Sequence, residues 1–486
     1  MRLTLLMLLM IGWLLGSPLS AAQDGGGGAA LPDLGDVASS AMSPLAERRI
    51  GEEAMRQIKS RDPSYVDDPE VTEYLNTLGR KLAGASSNAN QRFEFFAIRD
   101  DSINAFAMPG GFIGVHTGLL LAAQTESELA SVLAHEISHV TQHHIARLVG
   151  KQSQLSTIGI AGLLVALLAT RSGSDLGQAA MLATQGGAIQ AQLGYTRDFE
   201  READRIGFQV LQQAGFDING MVSFFERLQR ATRTYENNAP AYLRSHPLTG
   251  ERVADIQNRV QGVKYRQHLD SMEFHLLRAK LRSEQGQPRD TLAYFLRQLE
   301  GKRYASEAGA RFGLVSALIR TKEFAKAEAE FKRLRALMPQ NAMIDLLAMR
   351  LKSDSGDIKG ATELVRAALS RQPGHRPLRY AFAQLLQAQG KHEEALLQLG
   401  DLAQTYPSDS RLYFMQAQSY AASGQQLLRH RAQAEAYYLQ GALPAAIEQL
   451  QFAQKADDGD FYALSSVEAR LHELRRILAA EKATRR

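Results

Sequence analysis

The sequence predicts a mostly α-helical protein with a small β-sheet, organised as an amino-terminal mixed domain followed by an all-α solenoid. Three observations carry this. A strand-like block, residues 93–98 and then 105–115, interrupts otherwise helical patterning. A His-Glu-Ile-Ser-His run at residues 135–139 lies within apolar residues at helical spacing. After about residue 265 no strand pattern survives, and small residues recur at a fixed interval.

The 486 residues are enough for two to four domains at roughly 100–200 residues each. With 45% hydrophobic and 22% charged residues the chain is globular, which removes disordered and fibrous classes. Lys plus Arg at 56 against Asp plus Glu at 52 leaves a net charge of only +4. No Lys/Arg run resembles a nucleic-acid-binding arm, so no nucleic-acid partner is expected. Cysteine is absent. That excludes disulfides, thiol nucleophiles, Cys-ligated metal and a lipid-modified amino-terminal cysteine, so any metal must be held by His, Asp or Glu.

Arg2, the apolar run from Leu3 to Leu15, Pro18 and the small residues Ser20, Ala21 and Ala22 read as a secretory signal peptide over 1–22. The run is shorter than the ~20 residues that span a bilayer. Residues 23–42, rich in Gly, Ala and Asp, read as a flexible leader. The mixed domain occupies 43–264. Within it the apolar stretch 158–169 is also too short to span a membrane. The segment 155–192 that carries it is placed to act as a lid or substrate-contact helix, and the stretch is a candidate for peripheral membrane contact.

In 265–486, Pro339, Pro373 and Pro407 are 34 apart, as are Ala327, Ala361 and Ala395, and Gly356, Gly390 and Gly424. Three residue types sharing one phase give the tetratricopeptide period: alanine where two helices cross, glycine in the turn within a repeat, proline between repeats. Each repeat must stack on its neighbours to bury its apolar face. Gly286 and Phe295 mark a weaker first unit. The next matching set is Tyr437, Gly441, Ala446 and Ala453, and Ala446 lies 51 residues beyond Ala395, one and a half repeats. This predicts an extra helix at about 425–434. The array is expected to offer a concave surface for substrates or a partner, with the mixed domain beside it.

The chemistry concentrates in His135, Glu136 and His139. Thr125 and Glu128 offer a capping box ahead of the helix. A spacing of four sets both imidazoles on one face, able to hold one metal ion, with Glu136 beside them to act on a water. Downstream, Glu200 and Asp204 also stand four apart. Glu200 can complete the ligand set, while Asp204 can accept a ring N–H from a ligating histidine and fix its tautomer. Two His and one Glu leave a coordination position open, which means catalysis. Glu202 is the rival ligand; it lies about 200° around the helix from Glu200 and suits an ion-paired role. Ala105, Phe106, Ala107 and Met108 are expected to form an edge strand on which an extended polypeptide pairs its backbone.

Together with the run from Asn104 to Gly111, with Gly118-Leu119-Leu120 and with Ser245-His246-Pro247, these motifs resemble the M48 family of zinc metallopeptidases, in particular exported members with a carboxy-terminal tetratricopeptide array. The resemblance implies a zincin-type HExxH metallopeptidase domain with one Zn2+ per chain on His135, His139 and Glu200. It implies Glu136 as general base and proton shuttle, and His246 as a residue that approaches the zinc to hold the enzyme latent or otherwise serves at the centre. His143 and His144 are expected to make structural hydrogen bonds. The resemblance further implies a periplasmic location, unfolded or misassembled outer-membrane proteins as substrates, and their assembly machinery as a partner through the repeats. The alternative is a repeat-based chaperone or scaffold with a mostly latent zinc site.

Overall fold

The computed structural model describes residues 42–88, 91–150, 197–234 and 241–484. The signal-peptide reading, the leader reading apart from Met42, and the lid reading of 155–192 fall outside these residues.

Helix α1 (Pro44–Arg61) starts where Ser43 accepts the Ala46 N–H (3.2 Å) and Pro44 supplies a first-turn residue that needs no donor. Helix α2 (Pro69–Ala83) repeats the device, with Asp68 accepting from the Glu70 and Val71 N–H groups. Three short strands follow, β1 (Glu94–Ile98), β2 (Ala105–Met108) and β3 (Phe112–His116), in the spatial order β1-β3-β2. β1 runs parallel to β3 and β2 antiparallel to it. The block 105–115 is thus two strands rather than one. Pro109–Gly111 breaks it, because Gly110 and Gly111 adopt φ of 76° and 90°, and a Cβ on Gly111 would lie 2.2 Å from the Arg92 carbonyl oxygen.

The two sheet edges differ. Along β1, Asn76 donates to the Phe95 carbonyl (2.8 Å) and accepts from the Phe95 N–H (3.0 Å), while the Val66 N–H reaches the Ala97 carbonyl. These contacts close that edge. β2 forms the opposite edge, against the histidine-bearing helix.

After α3 (Thr117–Ala122) comes α4 (Glu126–Thr141), buried over its whole length. The capping box is half as predicted. Thr125 accepts from the Glu128 N–H (3.2 Å), but the Glu128 carboxylate takes the Gln124 N–H (2.7 Å), one residue earlier than the reciprocal bond requires. Its other oxygen is held by Ser223 and Arg227. Helices α5 (His144–Gly150), α6 (Arg197–Gln213), α7 (Asn219–Thr234), α8 (Ala241–Ser245) and α9 (Gly250–Gln261) complete this part. Gly207 lets α6 lie against α4: a Cβ there would be 3.1 Å from His135 Cα.

Twelve helices follow: α10 (Met272–Glu284), α11 (Pro288–Glu300), α12 (Glu307–Arg320), α13 (Phe324–Leu337), α14 (Ala342–Asp354), α15 (Ile358–Arg371), α16 (Arg376–Ala388), α17 (His392–Thr405), α18 (Ser410–Ala422), α19 (Gln426–Leu439), α20 (Leu443–Gln454) and α21 (Phe461–Thr484). Ala327, Ala361, Ala395 and Ala446 are all fully buried at helix crossings. Gly286, Gly356, Gly390, Gly424 and Gly441 all turn with positive φ. In the repeat formed by α12 and α13 the same turn position is Lys322, held at φ 61°. The extra half-repeat is present: two helices, α18 and α19, stand between the one carrying Ala395 and the one carrying Ala446. The predicted extra helix is α19 (Gln426–Leu439), longer than the expected 425–434 because Gly424 and Gly441 flank it as turn residues and nothing between them breaks it.

One hydrophobic cluster runs from Val66 through the sheet and α4 to Phe274, Val315 and Leu351, so the first repeats share a core with the mixed domain. Glu126 pins the junction. Its carboxylate accepts from the Tyr74 hydroxyl (2.9 Å), the Ser271 hydroxyl (2.6 Å) and the Ser271 N–H (2.9 Å), tying α4 to α2 and to the first turn of α10. Lys280 adds an ion pair to Asp68 (2.7 Å) and one to Glu70. Helix α2 rests against α10 and α16, the first helices of their pairs. Part of the face expected to be open to partners is thereby occupied by the chain itself.

Candidate metal centre

Helix α4 presents His135 and His139 one turn apart, and their Nε2 atoms face each other at 2.9 Å. Helix α6 brings Glu200 over the same point: Oε2 is 3.5 Å from His135 Nε2 and Oε1 is 3.5 Å from His139 Nε2. His246, just past α8, completes the group, with Nδ1 3.4 Å from His135 Nε2 and 3.0 Å from Glu200 Oε1. The ligand atoms of these four buried residues lie within 4.8 Å of one another.

This donor set fits zinc. Ligand bonds of 2.0–2.1 Å in a tetrahedron put neighbouring donors about 3.3 Å apart, and the observed separations bracket that value. Two imidazole nitrogens opposed at 2.9 Å and a carboxylate out of water are also costly without a shared proton or cation. Burial opposes a charge on His135, but the Asp204 and Glu200 carboxylates outweigh it and push its pKa up to about 10. Burial and the adjacent His135 charge drive His139 well below the usual imidazole range. Glu200 is held well below the carboxylate range, because its histidine neighbours His246 and His135 overcome the effect of burial.

The surrounding shell orients the candidate ligands. Asp204 Oδ1 lies 2.9 Å from His135 Nδ1, which fixes the tautomer leaving Nε2 toward the centre. His139 turns its Nδ1 to His144 Nδ1 at 2.8 Å, and His144 Nε2 reaches Glu202 Oε2 at 3.2 Å. Glu202 also accepts from Arg147 (2.9 Å), so it stands outside the ligand group. His143, at φ 51° where α4 gives way to α5, meets Glu47 of α1 (3.1 Å). Both histidines after the motif therefore make side-chain contacts rather than joining the four donors.

Glu136 is fully buried beside the donors, with Oε1 3.5 Å from His246 Nε2. Burial raises its carboxyl above the ordinary value, against the pull of the neighbouring His246 and His135. Ala105, Phe106, Ala107 and Met108 are β2, which packs against the helix carrying Glu136. Stacked on His246 is Tyr242, ring centroids 4.6 Å apart.

Sequence reasoning missed Arg252, 3% exposed. Its guanidinium grips Asp204 through Nε (2.6 Å) and Nη2 (2.8 Å), and Nη1 reaches Glu200 Oε2 (2.8 Å) and the Pro247 carbonyl (2.6 Å). One cation thereby joins a candidate ligand, the residue orienting His135 and the loop holding His246. Nothing in the charge pattern of α9 separates Arg252 from the solvated Glu251 next to it.

A buried HExxH helix with a glutamate from a second helix is the donor arrangement of a zinc metallopeptidase centre. Residues 69–260 match the model of peptidase family M48, and residues 353–419 match a tetratricopeptide repeat model. The chain is 32% identical to the beta-barrel assembly-enhancing proteases of Yersinia pestis and of Escherichia coli strain K12, matching 92% of this chain in each case and 92% and 91% of those proteins. A Vibrio cholerae relative is 39% identical, and this chain spans 64% of that protein's length. The mitochondrial metalloendopeptidase OMA1 of Schizosaccharomyces pombe is 30% identical over 43% of this chain and 60% of its own. The chain belongs to peptidase family M48, whose cofactor is zinc, with tetratricopeptide repeats after the peptidase region.

Proposed function

We propose that the chain is a periplasmic zinc metalloendopeptidase acting on misfolded or stalled outer-membrane proteins, with a chaperone-like contribution from its repeats. In this reading His135, His139 and Glu200 hold the zinc, residues 43–264 form the peptidase domain and 265–486 the repeat domain. The observation that carries it is the convergence of four buried donors next to a buried glutamate and a strand edge. The client class and the assembly machinery as a partner rest on the names of the Yersinia and Escherichia relatives, and export rests on the pattern of residues 1–22. Among the described residues no helix is long and apolar enough to cross a membrane.

Zinc bound there would polarise a peptide carbonyl and lower the pKa of a water to about 7. Glu136 takes the proton from the attacking water and returns it to the leaving amine; its upward shift on burial brings it nearer the working pH of a general base. Asp204 and Arg252 keep His135 and Glu200 in register. Ala105 to Met108 pair with the extended substrate backbone, so selection depends little on side-chain identity.

His246 favours a second element of the reading. Its ring lies between Glu200 and Glu136, and this proximity supports a resting enzyme that His246 holds latent. Casein hydrolysis and zinc content, measured on the parent, Glu136→Gln and His246→Ala, test both elements. The reading expects one zinc and slow cleavage in the parent, zinc without cleavage in Glu136→Gln, and faster cleavage in His246→Ala. Absence of metal and of cleavage in every version would sink it and leave the repeat scaffold as the function.

A further inference from the structure

Three clefts are lined by charges of both signs. Arg201 and Arg205 face Glu251 and Asp255 in one, Lys59 and Arg411 face Glu94 and Asp67 in another, and Lys81 stands among Glu70, Glu73 and Glu273 in a third. A fourth cleft, of about 270 Å3, is different. It lies where α10 meets α11 and the connection into α12, with Leu121 of α3 at its border. His275, Arg278 and Arg282 enter it from one face of α10, Arg303 enters from the connection, and Tyr294 and Tyr304 supply aromatic walls. No Asp or Glu lines it.

The guanidinium groups here are positioned without being neutralised. Arg278 donates to the Leu120 and Leu121 carbonyls (3.1 and 3.0 Å) at the end of α3 and lies over the Phe274 ring. Arg282 donates to the amide oxygen of Gln285 (3.0 Å) and lies over Tyr294, 4.9 Å from the ring centroid. Among the described residues no carboxylate stands within 4.0 Å of Arg278, Arg282 or Arg303, whereas His275 has Asp270 at 3.6 Å. Burial lowers the Arg278 pKa from its ordinary value by more than the nearby Asp270 and Glu128 raise it. Preorganised guanidinium forks with unspent charge select planar oxyanions, and carboxylates above all.

We propose that this cleft binds an acidic segment of a polypeptide, taking a carboxylate between Arg278, Arg282 and Arg303 and a neighbouring aromatic or aliphatic side chain against Tyr294 and Tyr304. The site is independent of the metal centre. A peptide suits it better than a membrane, because the cations line a concave cleft between helices rather than a protruding surface that a flat headgroup layer can reach. It lies on the first repeat, with Leu121 of the peptidase region at its border.

The test uses the full chain carrying Glu136→Gln, so that probes are not cleaved, and fluorescence anisotropy of a short labelled peptide containing two Asp-Phe pairs. The proposal expects this peptide to bind about tenfold tighter than its counterpart with Asn in place of Asp. Combining Arg282→Gln with Arg303→Gln, both exposed and outside the core, should remove that preference with an unchanged unfolding midpoint. Arg289→Gln, on α11 but outside the cleft, should leave it intact. Equal binding of the two peptides, or an unchanged preference in the double variant, would overturn the proposal. So would sedimentation with phosphatidylglycerol vesicles that the double variant loses while peptide binding stays the same, since that assigns the cations to a lipid phosphate.

Discussion

Between residues 42 and 264 the described chain buries Glu47, Glu126, Glu128, Glu136, Glu200, Asp204 and Arg252, whereas the repeats bury Lys280 at the junction and, beyond residue 300, Asp345. The partners differ in reach as well. His246 meets His135 across 111 residues and Arg252 meets Asp204 across 48, while Asp345 is held by Arg335 and Arg371, from the helices on either side of α14. The first part of the molecule assembles expensive buried charge from distant segments, and beyond the junction at Lys280 the repeats settle theirs with the nearest helix. Function requires the first arrangement, because a metal ion and a general base must converge on one point. Stacking repeats require only the second.

The comparison breaks most visibly at Glu136. Glu136→Gln should cut peptide cleavage by roughly 10²–10⁴ while zinc content, measured by atomic absorption, stays at one per chain. Next in size is Arg252→Met. Removing the guanidinium strands the Asp204 and Glu200 carboxylates in the core at a cost of about 3–5 kcal/mol, read as a lower denaturant midpoint and as lost metal. The same change in the repeats, Arg371→Met, leaves Asp345 with Arg335 and should cost under about 1 kcal/mol, because Arg371 is partly exposed.

His144→Ala sharpens the contrast by acting through the candidate ligand His139. It removes the acceptor for His139 Nδ1 and should weaken zinc by about 10–100-fold in competition with a chelating dye, leaving the repeats unchanged. A small effect of opposite sign belongs to Lys322. Placing glycine where the backbone already turns at φ 61° should stabilise the array by roughly 1 kcal/mol, visible in urea titration and neutral for zinc and cleavage.

The same difference decides what could be read in advance. Ala327, Ala361, Ala395 and the turn glycines carry their contacts within one period, so the array and its extra helix were legible from spacing. His135 with His139, and Glu200 with Asp204, were legible because each pair spans one helical turn. Which elements converge was not. Arg252 sits among charges that look solvated, and only the fold distinguishes it. Lys322 hides the glycine phase of one repeat because a lysine carries no sequence sign of the positive φ it adopts there. The lie of α2 against α10 and α16 has no local signature at all, since it depends on the Glu126 and Lys280 contacts between segments 145 and 210 residues apart.

Hydrogen exchange of the full chain with zinc bound, compared with the chain stripped by a chelator, addresses the central claim most directly. If His135, His139 and Glu200 hold the ion and Arg252 ties them to the His246 loop, removing zinc should raise exchange in α4, α6 and α9 and leave α14 to α17 as they were. Exchange that rises equally across both parts, or does not change in α4 and α6, would contradict it.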